Sequence, residues 1–168
     1  MNDQLDLVPE ALAAIEDAAN GKDVEFDSET SVGYLLRDTY RAFTKILQAR
    51  ISTQGVTIGQ WYFLRVLWDE DGLTQRELSQ RVGMMEPTTV TALNGMEKRD
   101  YVKRVRNAED KRKVNIYLTD KGRALRNALL PHAIDVNFRA VAGVSLEDVE
   151  TVRRTLHAMR RNLESLGA

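Results

Sequence analysis

The stretch from residue 73 to residue 99 is punctuated as two short helices joined by a tight turn. Thr74 and Glu77 form a capping box, in which the threonine side chain accepts from a helical amide while the glutamate reaches back to the cap. Gly83 interrupts the helix that starts there, and Pro87 suits the first turn of a second one. The two predicted helices span residues 75–82 and about 87–99. This spacing predicts a helix-turn-helix.

Two strands are predicted directly after these helices, over 102–106 and 114–118. The second strand alternates strictly, so we expect Val114, Ile116 and Leu118 to face inward and the residues between them to face outward. Residues 107–111, Asn-Ala-Glu-Asp-Lys, form a polar hairpin tip with a basic rim. A helix-turn-helix followed by a hairpin of this kind is a winged helix, in which the hairpin is the wing.

This arrangement is suited to reading double-stranded DNA. The second helix is narrow enough for the major groove, and the wing can reach phosphates or the minor groove. We expect the second helix to bury Val90, Leu93 and Met96. On its exposed face we expect the candidate base-contacting side chains, which are Thr88, Thr89, Thr91 and Asn94. The candidate basic contacts are Lys98, Arg106, Lys111, Arg112 and Lys113. The alternative is that Thr88 and Thr89 only satisfy the helix start and that the basic residues form a solvated surface.

The charge distribution favours the DNA-binding interpretation. The chain has a formal net charge of only −1, but residues 98–113 hold eight bases against three acids, whereas residues 1–31 hold nine acids against one base. A basic segment on an otherwise neutral or acidic chain indicates a local surface for a polyanion.

Helical periodicity predicts further helices on both sides of this block. One begins at Val32 and runs to about Ile51, and another spans about 57–68. A long helix is expected from Thr119 to about 142, bent or divided by Pro131, followed by a last helix over 146–166. Residues 1–31 form an acidic arm with a short helix over 9–19, and we expect the rest of this arm to be loosely ordered.

Residues 55–122 resemble the MarR (multiple-antibiotic-resistance regulator) family of winged helix-turn-helix transcription factors. The resemblance rests on Gln60-Trp61, on the run Leu-Thr-Gln-Arg-Glu-Leu at 73–78, and on Asp110-Lys-Arg-Lys-Val114 with Leu118-Thr-Asp-Lys-Gly122. The flanking helices match the family's layout, so the likeness extends from about Val32 to the C-terminus.

The resemblance implies a mainly helical fold with two lobes. One is a winged helix-turn-helix DNA-binding lobe with a two-stranded wing, and the other is a helical dimerisation lobe. The implied division is an arm over 1–31 and one domain over 32–168, in which 55–122 form the winged-helix region and 32–54 and 123–168 supply the dimerisation helices.

The same resemblance implies a homodimeric regulator, most simply a repressor, that binds a pseudo-palindromic operator and leaves it when a small molecule binds. Arg112 would enter the minor groove, where negative potential concentrates. Asp110 would hold that arginine in place, although it could equally be a turn residue that only supports the wing. Ala92 stands where many relatives carry an arginine, which leaves base contacts to small polar side chains.

A pocket for the small molecule is expected beside the dimerisation helices. Its candidate residues are Arg37, Tyr40, Arg41, Phe43, Trp61 and Leu64. Arg37, Arg41 and Lys45 recur every four residues, so they form a cationic stripe that could bind an aromatic acid or its coenzyme A thioester. The alternatives are that the aromatic residues belong to the core and that the stripe is solvated or paired with Asp38 and the acidic arm.

Other classes of protein fit this sequence poorly. The chain has no cysteine, and its two histidines stand 25 positions apart without ligand partners, so we expect no metal site, no cofactor and no enzymatic activity. It lacks a long apolar run and a signal-peptide pattern, which predicts a cytoplasmic protein without a membrane partner. The remaining alternative is a winged helix that binds another protein and does not read DNA sequence.

Overall fold

The computed structural model describes residues 9–23 and 31–166, and it is mainly helical with one small sheet. The helices are α1 (Pro9–Ala19), α2 (Val32–Ile51), α3 (Ile58–Asp69), α4 (Gln75–Val82), α5 (Glu86–Lys98), α6 (Asp120–Ala140) and α7 (Leu146–Leu166). The strands are β1 (Leu73–Thr74), β2 (Val102–Arg106) and β3 (Val114–Leu118). A short 3-10 turn, Ser52–Gln54, follows α2. The predicted fold class is confirmed, and so is the predicted helix over 9–19.

Local hydrogen bonds determine where several of these helices begin and end. The Thr74 hydroxyl oxygen accepts from the Glu77 amide. In return, the Glu77 carboxylate accepts from the Thr74 hydroxyl at 2.6 Å and from the Thr74 amide at 2.8 Å. These two bonds hold the pKa of Glu77 below its usual value. Thr57 forms a similar capping box with Gln60 at the start of α3, and the Thr119 side chain accepts from the Gly122 amide at the start of α6. Gly83, with φ of 70°, ends α4 in a left-handed conformation that glycine adopts without strain.

The sheet contains a strand that the sequence analysis did not predict. The strand order of the sheet is β1-β3-β2, and both pairs of neighbouring strands are antiparallel, with Leu73 opposite Ile116 and Val102 opposite Leu118. The predicted hairpin of β2 and β3 is confirmed, and β3 faces the core through Ile116 and Leu118 as expected. The added strand β1 ties the hairpin to the start of α4.

The core lies between α3, α4, α5, α6 and the sheet. Its most deeply buried side chains include Phe63, Leu64, Leu67, Leu78, Leu93, Met96, Ile116 and Leu129. Pro131 does not divide α6, which runs unbroken from Asp120 to Ala140. Arg50 of α2 pairs with Asp135 of α6, and this contact, together with Arg139, holds the pKa of Asp135 below its usual value.

Packing of the described residues separates two compact units at the bond between Arg41 and Ala42, so that α2 contributes to both. The predicted division at residue 31 stays a prediction. The loosely ordered arm was predicted partly for residues 1–8 and 24–30, which lie outside the described residues. Within the ranges 9–23 and 31–166, no helix combines the length and the apolar character needed to cross a bilayer.

Candidate nucleic-acid interface

Helix α5 presents an exposed polar face. Thr88, Thr91, Asn94 and Lys98 recur every three or four residues and are all exposed, so they share one side of the helix. The Thr91 hydroxyl donates to the carbonyl of Pro87 at 3.1 Å, which leaves its oxygen lone pairs and its methyl group toward solvent. Lys98 is the last residue of the helix. Four of the predicted contact residues therefore share one surface.

The fifth predicted contact residue on this helix, Thr89, was wrongly placed on the exposed face. Thr89 has no exposed surface, whereas Val90, which was expected in the core, is 37% exposed. The physical reason is that the Thr89 hydroxyl donates to the Met85 carbonyl at 3.2 Å, so the side chain can be buried without leaving a polar group unpaired. Thr89 therefore supports the helix start, which is the alternative considered for it, and is removed from the candidate contacts.

Close packing against α3 holds α5 in place. A methyl group added at Gly95 would lie 3.3 Å from the side-chain nitrogen of Gln60. Gln60 is itself buried, and its carbonyl oxygen accepts from the Thr57 amide at 3.2 Å, so it has little freedom to move. Gly95 thus has a packing role, which the sequence analysis did not find because the partner lies 35 positions away.

The base of the wing is anchored by side chains that bond to backbone. Asp71 accepts from the amide of Leu118 at 2.8 Å, and the Asn115 amide group donates to the Gly72 carbonyl at 2.6 Å. Asn115 also accepts from the side chain of Asn107 at 3.0 Å. These bonds attach the hairpin to the loop before β1, so the wing projects from a supported base.

The tip of the wing is shaped by Asn107 and Asp110. The side-chain oxygen of Asn107 accepts from the amides of Glu109 and Asp110, each at 2.9 Å. One carboxylate oxygen of Asp110 accepts from the Arg112 amide at 3.0 Å and from its side-chain Nε at 3.2 Å. These two bonds, of which the backbone one has the larger influence, hold the pKa of Asp110 below its usual value. Asp110 therefore supports the turn and orients Arg112 at once.

The wing carries its positive charge on the outside. Arg106, Lys111, Arg112 and Lys113 are all exposed, and the Arg112 side chain is 93% exposed even though it contacts Asp110. A guanidinium that is oriented but still in water can enter a groove without losing buried contacts. The predicted basic residues of the wing therefore lie together at its tip and along its edge.

Arg104, which was not among the candidate contacts, links α5 to β2. Its guanidinium donates to the carboxylate of Glu97 and, at 2.8 Å, to the side-chain oxygen of Asn94. The Arg104 side chain is only 25% exposed, so these bonds are partly shielded from water. The sequence pattern did not predict this contact, because Arg104 lies on β2, and only the folding of β2 against α5 brings it beside a helix that ended six residues earlier.

The candidate effector residues differ in how far they are exposed. Trp61 and Leu64 are buried in the core, at 5% and 0% exposure, as the alternative of core packing predicted. Phe43 is half-buried, while Arg37, Tyr40 and Arg41 are exposed on α2. Arg37 pairs with Asp38 at 3.0 Å and lies 4.4 Å above the ring of Tyr34. Trp61 and Leu64 therefore pack in the core, and a role for them as walls of an effector pocket stays a prediction.

Comparison with known proteins agrees with this geometry. A model of the MarR family matches residues 54–113. The transcriptional regulator TtmR of Methylorubrum extorquens is 28% identical over 147 residues, which cover 86% of this chain and 73% of that protein. The transcriptional repressor NicR of Pseudomonas putida is 28% identical over 142 residues, 83% of this chain and 87% of that one.

A solved structure also has this fold with DNA bound. The MepR–DNA complex of S. aureus superimposes with a TM-score of 0.74 and 25% sequence identity, covering 82% of this chain and 99% of that one. The relatives are transcription regulators, which confirms the expectation that the chain is not an enzyme. The chain thus resembles the MarR family of winged helix-turn-helix transcription regulators, through the family model over residues 54–113 and through relatives and a solved structure over most of its length.

Proposed function

We propose that the protein is a homodimeric repressor that binds a pseudo-palindromic operator and is released from it by a small aromatic anion. The observation that carries this proposal is the exposed polar face of α5 beside an exposed cationic wing whose tip is shaped by its own hydrogen bonds. Because DNA is the ligand, this function also fits the predicted cytoplasmic location. NicR, a relative named as a repressor, supports the sign of the regulation.

The two parts of the surface have different tasks. The wing residues Arg106, Lys111, Arg112 and Lys113 neutralise phosphates, and Arg112 enters the minor groove, so they supply affinity that depends on salt. Thr88, Thr91 and Asn94 meet base edges in the major groove and supply sequence preference, with Lys98 on a neighbouring phosphate.

The dimer is supported by apolar surface that one copy of the chain leaves exposed. Helix α7 buries none of its side chains, although Leu146, Leu156 and Leu163 are apolar. Phe138 on α6 is 72% exposed. Apolar helix faces of this extent are typical of a subunit interface. A two-fold pair of these chains would place its recognition helices about 34 Å apart to meet successive major grooves.

We predict that light scattering at micromolar concentration will report a dimer and that a duplex of the region upstream of the protein's own gene will bind it. Leu163→Asp should weaken the dimer and with it DNA affinity, because it places a charge on the proposed interface. Asn162→Asp adds the same charge at the neighbouring exposed position and is the matched control. A stable wild-type monomer would contradict the proposed dimer on two half-sites. The absence of a protein-sized gel shift at low salt would contradict DNA binding and favour a protein-interaction module.

The effector part of the proposal rests on the cationic residues of α2. Arg37 and Arg41 are one turn apart and exposed, and the neighbouring ring of Tyr34 offers a stacking surface to an aromatic acid. A ligand changes DNA binding only if it has different affinities for the form of the protein that binds DNA and for the form that does not. A 100-fold preference for the form that does not bind DNA is worth about 2.7 kcal/mol, and it lowers DNA affinity at saturating ligand by at most that factor.

We predict that a thermal-shift screen of aromatic carboxylates and their coenzyme A thioesters will find compounds that raise the melting temperature and also reduce DNA affinity. Arg37→Gln should weaken both responses because it removes a cation from the proposed site. Arg126→Gln, which removes a charge from the exposed side of α6, should keep both. A stabilising compound that leaves DNA affinity unchanged would count against its being the effector.

A further inference from the structure

The guanidinium of Arg104 determines how one side chain of the recognition helix is presented. One of its terminal nitrogens donates to Glu97, and the other donates to the side-chain oxygen of Asn94 at 2.8 Å. Glu97 and Asn94 are three residues apart on α5, so they are neighbours on one side of the helix. Both terminal nitrogens of the guanidinium therefore donate to side chains of α5. The bond to Asn94 fixes this side chain although the residue is exposed.

The orientation of the Asn94 amide follows from the chemistry of arginine. A guanidinium has five N–H donors and no acceptor, so the Asn94 atom that it contacts has to be the amide oxygen. The NH2 group is then turned away from Arg104. A hydrogen bond from a charged donor is stronger than one between neutral groups, and Glu97 keeps the donor in place.

This orientation changes what Asn94 can recognise. A freely rotating asparagine pairs with adenine through two bonds, in which its oxygen accepts from N6 and its nitrogen donates to N7. With the oxygen turned toward Arg104, that two-bond geometry is lost and the NH2 group acts as a donor. A donor that acts alone pairs best with guanine, which offers O6 and N7, or with thymine, which offers O4, whereas adenine offers only N7 beside the N6 donor that the Asn94 oxygen no longer meets. Cytosine presents a donor there and is disfavoured.

We propose that Arg104 is a positioning residue that makes Asn94 a hydrogen-bond donor toward DNA, so that the operator carries guanine or thymine opposite Asn94 in each half-site. The inference rests on the proposed DNA-binding function and adds the class of base that one position recognises. Arg104 acts through Asn94 and Glu97, and its own contact with DNA is not required.

The test is selection of binding sites from a randomised duplex library by the full chain and by four variants. The wild type should enrich guanine or thymine at one symmetry-related pair of positions. Asn94→Ala should reduce that preference about fivefold, the range of a single hydrogen bond, and leave the other positions as they are. Arg104→Met should raise the share of adenine at the same positions, because the amide is then free to turn. Arg104→Lys should do the same, because an ammonium lacks the planar fork that bonds to Glu97 and Asn94 together.

Two comparisons separate positioning from charge. Arg104→Lys keeps the charge, so it should alter base preference while retaining the salt dependence. Lys103→Met removes a charge from the opposite face of the same strand, where successive side chains alternate, so it is the matched control and should leave base preference unchanged. Circular dichroism of each variant checks that the fold is retained.

Each remaining outcome decides against the inference. If Asn94→Ala leaves every position unchanged while still binding DNA, Asn94 does not read a base. If both Arg104 variants keep the guanine or thymine preference of the wild type, the arginine does not orient Asn94. If the wild-type dimer enriches no sequence at all, the proposed function fails and the inference fails with it.

Discussion

Gly122→Ala should destabilise the protein more than any other single methyl group added at a helical glycine. A Cβ atom at this position would lie 2.0 Å from the backbone oxygen of Tyr101, far inside the contact distance of the two atoms. The oxygen cannot easily retreat, because it accepts from the Thr119 amide at 3.1 Å while the Tyr101 amide donates to Met96 at 2.9 Å. The Gly122 carbonyl in turn accepts from the indole of Trp68 at 3.0 Å.

We expect Gly122→Ala to lower the free energy of unfolding by about 3 kcal/mol, the upper range of overpacking substitutions. In a protein of this size that corresponds to a fall in melting temperature of about 10 °C. Gly59→Ala is the matched control, since its added methyl group would meet only the Thr57 hydroxyl at 4.0 Å. Alanine there should leave stability unchanged or raise it by less than about 1 kcal/mol. Equal melting temperatures for the two variants would contradict the close approach of α6 to Tyr101.

Arg112→Ala should cause the largest loss of DNA affinity among single charge removals that leave the fold intact. The Arg112 side chain is 93% exposed, so its removal costs no core packing. Its loss takes away the guanidinium that Asp110 orients at the tip of the wing. We expect affinity to fall about tenfold for each wing, or about a hundredfold for a dimer, and the salt dependence to weaken by about one counterion for each wing.

Fluorescence anisotropy with a labelled duplex, titrated at several salt concentrations, measures both quantities. Arg126→Ala removes the same charge from the exposed side of α6, outside the wing, and should change affinity little. Thermal unfolding of both variants should match the wild type. Unchanged affinity and salt dependence in Arg112→Ala would exclude the wing from the interface.

The bounds of the winged-helix lobe could be predicted closely because they depend on bonds between near neighbours. Thr74 and Glu77 are three residues apart, and their mutual bonds begin α4 wherever the helix lies in the molecule. Gly83 ends that helix through its own backbone conformation. The alternation of β3 likewise reports which side of the strand is buried.

The candidate site was predicted less completely, because its details depend on partners that are distant in sequence or on how an element is rotated. Thr89 and Val90 are adjacent, yet a step of one residue turns a helix by about 100°, and only the packing of α5 on its neighbours decides which of them is buried. A strand as short as β1 exists only because β3 pairs with it. Asn94 lies beside Arg104 because the chain reverses direction after α5, and β2 then packs along that helix.

By itself the amino-acid sequence determined the order and limits of the helices, the hairpin with its basic tip and the resemblance to a family, because caps, alternation and local charge act over a few residues. The tertiary structure alone decided which threonines face outward, what Gly95 packs against, why Gly122 has to be small and which arginine holds Asn94. Those outcomes depend on contacts between elements, and a contact between elements exists only after the chain has packed.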